Sequence, residues 1–462
     1  RLTPGWLEKW ILDPGSIRSD TKMPDLLHDP DSELTQSQAG DIVAYLTSIA
    51  KKPKNQVLPK TPTRELNTRG RTLANELGCI ACHTLESASE IPGQIPLGNL
   101  VPKYRGAALI NYLLQPEASH PDTKMPNFAL SEEEAQAIGG FLMAKSETRG
   151  ALPWKLDGNE KKGEALVASK GCLNCHDIQG ATSTLQAPTL SAIQQSTLKR
   201  GCLADTEGQR GNAPQFAFTS KERADLGDFL KKDIDSLYRF SPEEYAERQI
   251  ERLNCLACHS RDGLGDRWAE LAPMLTSENE EGATIHTGRP PLDFAGEKLQ
   301  SDWVTRLLSG ELDTKTRPGL TARMPAFKSR AENIAIGLAA QHGYSGDGPV
   351  ETDTNAELAA LGRDLALSED RFRCNACHGM GDTLPLAGAD TETINFAEIP
   401  ERLRRSFFHR FTLDPQSILP GTQMPQYVDD DGASTIADVL EGDIDQQFDA
   451  LWHFMRSLKN DL

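Results

Sequence analysis

The sequence predicts an all-α protein assembled from tandem helical modules. Three observations carry this expectation. Aromatic residues make up only 6% of the chain, and the alternating Val/Ile/Thr-rich runs that make strands are scarce. Apolar residues recur instead at helical spacing, behind capping patterns such as Ser131 with Glu134 and Thr219 with Glu222. One set of signals also repeats along 462 residues, a length beyond what a single core supports.

The most specific repeat is Cys79-Ile80-Ala81-Cys82-His83, which returns as Cys172–His176, Cys255–His259 and Cys374–His378. The four copies use eight of the nine cysteines. Two thiols at this spacing can each add to a vinyl group of one haem, and the adjacent histidine then ligates the iron from the same face. C-x-x-C-H is the c-type haem attachment signal. The expectation is four covalent haems c, held by Cys79, Cys82, Cys172, Cys175, Cys255, Cys258, Cys374 and Cys377. Their proximal ligands would be His83, His176, His259 and His378. A zinc knot would pair two such motifs in one small fold, whereas here successive motifs start 93, 83 and 119 residues apart, each with its own histidine. A thioredoxin-like dithiol wants a βαβ context, which the surrounding residues lack. Structural disulfides are the remaining alternative.

The other signals fall in order around these motifs. Residues 1–50 carry no C-x-x-C-H, yet they hold an apolar helix pattern at Trp6–Leu12, then Asp13-Pro14, then Thr21-Lys22-Met23-Pro24. Thr35 with Gln38 reads as a cap for a helix bearing Ile42, Val43 and Leu46. Lys51 to Thr63 reads as a linker. A module at 64–148 carries Gly70, the first motif, Leu109–Leu114, Pro116, Met125-Pro126 and a helix with Phe141. A second, at 158–238, carries Gly163, its motif and Phe229, with Ala213-Pro214-Gln215-Phe216 lying over Met125-Pro126-Asn127-Phe128. A third, at 241–343, has an insertion from Ser260 to Gln300 that reads as loop, then Trp303–Leu308 and Met324-Pro325. Gly343 to Thr354 reads as a linker. The fourth module, 355–462, has Phe407–Leu413, Pro415, Met424-Pro425 and a closing amphipathic helix with Phe448, Leu451, Trp452, Met455 and Leu458. The interval from proline to methionine is nine residues at Pro14–Met23, Pro116–Met125 and Pro415–Met424.

This order resembles class I cytochrome c domains, and the resemblance covers nearly the whole chain. That family has a first helix, C-x-x-C-H, a loop delivering a distal methionine, and a last helix crossing the first through a glycine–aromatic contact. Gly70 with Phe141 and Gly163 with Phe229 match that contact. The resemblance implies tandem cytochrome c-like domains, four of them haem-bearing, with Met125, Met324 and Met424 as distal iron ligands. The alternative for each methionine is core packing. Residues 1–50 are then expected to be the back half of a further module whose haem-bearing front lies upstream of Arg1, or a degenerate haemless module. The haem at Cys172 has no methionine at the usual position. Its sixth site is open, or is filled by Cys202, or by Met23, Met274 or His286. For His28, His120, His286, His342, His409 and His453 a surface or satisfied-core role is the default.

Histidine and thioether together hold iron six-coordinate and raise its reduction potential relative to two histidines. The leading expectation is therefore a periplasmic electron-transfer protein that relays electrons between a redox donor and an acceptor. The alternative is a haem enzyme, peroxidase-like or oxidising sulfur compounds, acting at the Cys172 haem with Glu207 or Arg210 nearby. A formal charge of −18 speaks against nucleic acid and suits a basic redox partner, though an acidic surface is also an ordinary route to solubility. No apolar run of membrane-spanning length occurs, and an export signal is expected to have been removed.

Overall fold

The structure, a computed structural model, describes residues 2–18, 21–27, 32–50, 57–61, 63–86, 93–118, 120–146, 157–194, 199–211, 213–216, 218–278, 289–312, 323–347, 353–388, 393–429 and 431–458. Residues 51–56, 62 and 348–352 of the expected linkers, together with His28 and His286, lie outside the described residues. The protein is all-α: helices dominate, and the strands among the described residues are two residues long. None of the described helices is long and apolar enough to cross a membrane. The chain forms two compact units. One comprises Arg1–Gly70, Thr84–Tyr112 and Ala135–Phe240, the other Arg71–His83, Leu113–Glu134 and Ser241–Leu462.

In the first unit, the helix Pro4–Leu12 begins with proline, whose missing N–H is no loss at a helix start, and Thr3 caps it. Asp13 ends this helix and caps the next, Pro14–Ile17. The helix expected behind Thr35 begins earlier, spanning Ser32–Ser48, so Thr35 lies inside its first turns rather than at its cap. The expected box at Ser131 is present: Glu134 N–H donates to Ser131 Oγ (3.2 Å) and Ser131 N–H to Glu134 Oε2 (2.8 Å). Thr219 and Glu222 form the other box.

Helix crossings organise the first unit's core. A Cβ at Gly70 would lie 2.0 Å from the Ala137 carbonyl oxygen and 2.8 Å from Phe141 Cβ, so this crossing requires glycine. The corresponding contact of Gly163 differs from expectation. Its neighbours are the Asp41 carbonyl oxygen, 2.0 Å from a Cβ built there, and Tyr45 Cβ at 2.8 Å. The helix Glu160–Ser169 therefore packs against Ser32–Ser48 and not against the helix bearing Phe229. Ile11, Leu27, Ile42, Val43, Tyr45 and Val167 share one buried cluster with Leu166, Cys172, Leu173 and Ile178 against it. Phe229 sits half-buried on Ser220–Lys232, where Gly227 is the buried position. Residues 1–50 thus pack against the segment that carries Gly163 and Cys172, and the helix Ser220–Lys232 does not supply the crossing partner of Gly163. The physical reason is fit: Tyr45 and the Asp41 carbonyl meet Gly163 as Phe141 and the Ala137 carbonyl meet Gly70.

In the second unit, Ala356–Leu367 crosses Ile444–Ser457 with Gly362 against the Ala450 carbonyl, which would lie 2.0 Å from a Cβ. Pro242–Arg252 crosses Ala331–Ala340 with the roles exchanged, the glycine being Gly337 and its neighbour Ala246. The insertion from Ser260 to Gln300 is not all loop. It contains the helix Arg267–Glu278, whose Trp268 is fully buried. Surrounding glycines and acidic residues mask that helix in the sequence.

Candidate functional site

The four Cys-x-x-Cys-His segments adopt one backbone. Each opens on a left-handed residue, Gly78 (φ 79°), Gly171 (φ 88°), Asn254 (φ 58°) or Arg373 (φ 53°), and continues as a single 3-10 turn. Glycine takes that conformation without strain. Within each turn the second cysteine N–H donates to the first cysteine carbonyl, at 3.2 Å for Cys82, 3.3 Å for Cys175, 3.1 Å for Cys258 and 3.2 Å for Cys377. The histidine N–H makes the next bond to the same carbonyl in three copies, at 2.9 Å for His176, 3.0 Å for His259 and 2.9 Å for His378. The turn holds both thiols and the imidazole in a fixed mutual arrangement. The left-handed opening residue is a signal that the motif alone does not disclose.

Two of the histidines show their tautomer. His259 Nδ1 lies 2.8 Å from the Pro290 carbonyl oxygen, and His378 Nδ1 lies 2.8 Å from that of Ile394. A carbonyl only accepts, so Nδ1 carries the proton and Nε2 keeps its lone pair. Burial lowers the pKa of both rings and favours that neutral form. His83 is half-buried and His176 exposed. Burial pushes the thiols of Cys79, Cys255 and Cys374 up to about 12 and that of Cys258 to about 11, and it raises Cys82 and Cys172. Cys175 and Cys377 are exposed. All nine cysteines are unbridged.

Motifs far apart in sequence meet in the second unit. Ile80, Ala81 and Cys82 pack with Ala257, Cys258, Trp268 and Ala272 in one buried cluster. Asn254 Nδ2 donates to Cys82 Sγ at 3.6 Å, and Arg267 Nη1 donates to the Ala81 carbonyl at 3.2 Å. The sequence separation that speaks against a shared metal knot is thus overcome by folding. Nevertheless, no group of three or more His, Cys, Asp or Glu among the described residues is arranged to hold a metal ion.

The methionine loops also share a construction. Met23, Met125 and Met424 each donate their N–H to the threonine two residues earlier, at 3.2 Å to Thr21, 3.2 Å to Thr123 and 3.3 Å to Thr422. Met125 and Met424 are half-buried, and Met324 is 39% exposed. Within the second unit, the loops of Met125 and Met324 are stitched together. Asn127 and Ala326 exchange N–H···O bonds of 3.0 and 2.7 Å, and Arg323 grips Glu134 through both carboxylate oxygens at 3.0 and 2.5 Å. Cys202 lies half-buried on the turn Gly201–Leu203, outside the buried cluster around Cys172. Glu207 and Arg210 lie on the short helix that follows it.

No protein-family model, curated protein or solved structure matches this chain.

Proposed function

We propose that the protein is a periplasmic electron-transfer cytochrome carrying four c-type haems between a redox donor and an acceptor. The observation that carries the reading is the meeting of two attachment motifs, Cys79–His83 and Cys255–His259, around Trp268 in one buried cluster. Two redox centres held on adjoining turns are what stepwise electron relay requires. The donor set fits the group: paired thiols on a rigid turn and, at His259 and His378, an imidazole whose Nδ1–H is committed to a carbonyl so that Nε2 can ligate. Bound haem would supply a one-electron iron couple. The protein's part is to fix the ring orientation of each histidine, to aim Met125, Met324 and Met424 from their loops, and to exclude water with the surrounding core.

Wherever a bound haem took both a histidine and a methionine from this chain, substrate would have no route to the metal, and the chemistry would be confined to electron exchange. The formal charge of −18 favours a basic partner surface. Reductive titration of the whole protein tests the proposal. It should take up four electrons per chain through the haem absorbance bands, and uptake of fewer would refute it.

A further inference from the structure

We infer that Met23, which precedes the motif in sequence, is the distal iron ligand of the haem attached at Cys172 and Cys175. The inference rests on the haem reading above and extends it to the one motif without a methionine downstream.

Packing is the first support. The helix Glu160–Ser169, the turn bearing Cys172 and the helices Pro4–Leu12 and Ser32–Ser48 build one core, with Leu27 and Cys172 in the same cluster. Leu27 follows Met23 by four residues. In the second unit, Phe327, three residues after Met324, packs in the cluster that holds Cys255, and Tyr427, three after Met424, packs in the cluster of Cys374. In each case the segment just past a methionine packs beside the first thiol of a motif.

Local construction is the second. Asp13 Oδ1 accepts from Ser16 N–H at 3.0 Å, as Asp414 Oδ1 does from Ser417 N–H at 3.3 Å. Ser16 Oγ donates back to the Asp13 carbonyl at 2.9 Å, and Ser417 Oγ to that of Asp414 at 3.0 Å. The threonine turn then presents Met23 as it presents Met424. The loop of Ala213 has glycine, Gly211, where the loops of Met23, Met125 and Met424 have threonine, and the Ala213 N–H bonds instead to the Arg210 carbonyl at 3.3 Å.

The Ala213 loop has a structural role of its own. Asp25 and Gln215 exchange N–H···O bonds of 3.0 and 3.1 Å. Each lies two residues past its Met or Ala, as Asn127 and Ala326 lie two past Met125 and Met324. The Ala213 loop is therefore a neighbour bracing the Met23 loop, in the way one methionine loop braces another, and alanine suffices there. The assignment gives the four motifs four Met-Pro loops, one each. It leaves no open iron and no role for Cys202 as a ligand.

The test is a count of ring-current-shifted methionine methyls in the reduced, full-length holoprotein labelled at its eight methionines. Four strongly upfield methyls are expected. Met23→Leu should remove one of them, keep four haems by mass and leave one haem in four able to bind carbon monoxide. Ala213→Met should change none of these. Three shifted methyls in the unaltered protein would overturn the inference, a result that needs no variant to fold. So would a Met23→Leu protein that keeps all four and binds no carbon monoxide. A haem count other than four would overturn the underlying haem reading as well, and mass alone would reveal it.

Discussion

Asp347 accepts from Ser301 N–H at 2.7 Å, Asp302 N–H at 2.8 Å and Arg404 Nη2 at 2.8 Å. Arg404 is itself buried and lies over the Tyr344 ring. Burial pushes the Asp347 carboxyl up, but the two backbone donors, the Ser301 hydroxyl and the Arg404 charge outweigh it, and its pKa falls below the usual carboxylate value. A depressed folded pKa contributes stability that is present above the unfolded value of about 3.9 and is lost as pH falls through the folded one. Asp347→Asn should therefore lower stability at neutral pH by roughly 1–3 kcal/mol, because it weakens the bonds to a buried guanidinium. Urea midpoints of variant and parent should converge below about pH 4. A gap that persists undiminished in acid would contradict this. The sequence gives no hint of the cluster, since Asp347 lies in a Gly/Asp/Thr stretch that reads as linker, and its partners are 46 and 57 residues away. Folding alone brings such polar groups together.

Helix crossings show where the sequence is most and least legible. Gly70 with Phe141 is readable because both belong to one stretch of chain with one plausible order. Gly163 is readable as a crossing glycine, but its partner is not. Two helices, Ser32–Ser48 and Ser220–Lys232, offer an aromatic for the crossing, and only packing selects Asp41 and Tyr45 over Phe229. Trp268 was hidden for a different reason: its helix sits among loop-forming residues, and its burial comes from motifs elsewhere in the chain. The close approaches predict the cost of side chains. Gly163→Val and Gly362→Val should each destabilise by about 1–3 kcal/mol through overpacking at a carbonyl 2.0 Å from the new Cβ. Gly208→Ala meets nothing within 4 Å and should be neutral or stabilising by about 0.4–1 kcal/mol. Chemical denaturation of the three variants checks the sign as well as the size.

At the scale of the whole chain, the all-α class and the four Cys-x-x-Cys-His segments are legible in composition and spacing, while the helix that crosses Gly163 is not. Two expectations follow for the assembled holoprotein. Haems attached at Cys79–His83 and Cys255–His259 would adjoin through one buried cluster, so reducing one should disfavour reducing the other. Their redox titration should spread beyond two independent one-electron curves, and two superimposable independent curves would contradict the shared cluster as a relay step. Electron exchange with a basic partner should also slow as ionic strength rises, because a charge of −18 steers encounter only within the screening length. An exchange rate indifferent to salt would remove the case for a basic docking face. The most direct measurement is the intact mass of the full-length protein after acid denaturation, which strips any haem not joined through thioethers. The chain should be heavier than its amino acids by four haems; any other number, or haem released by the acid, would contradict four covalently attached haems.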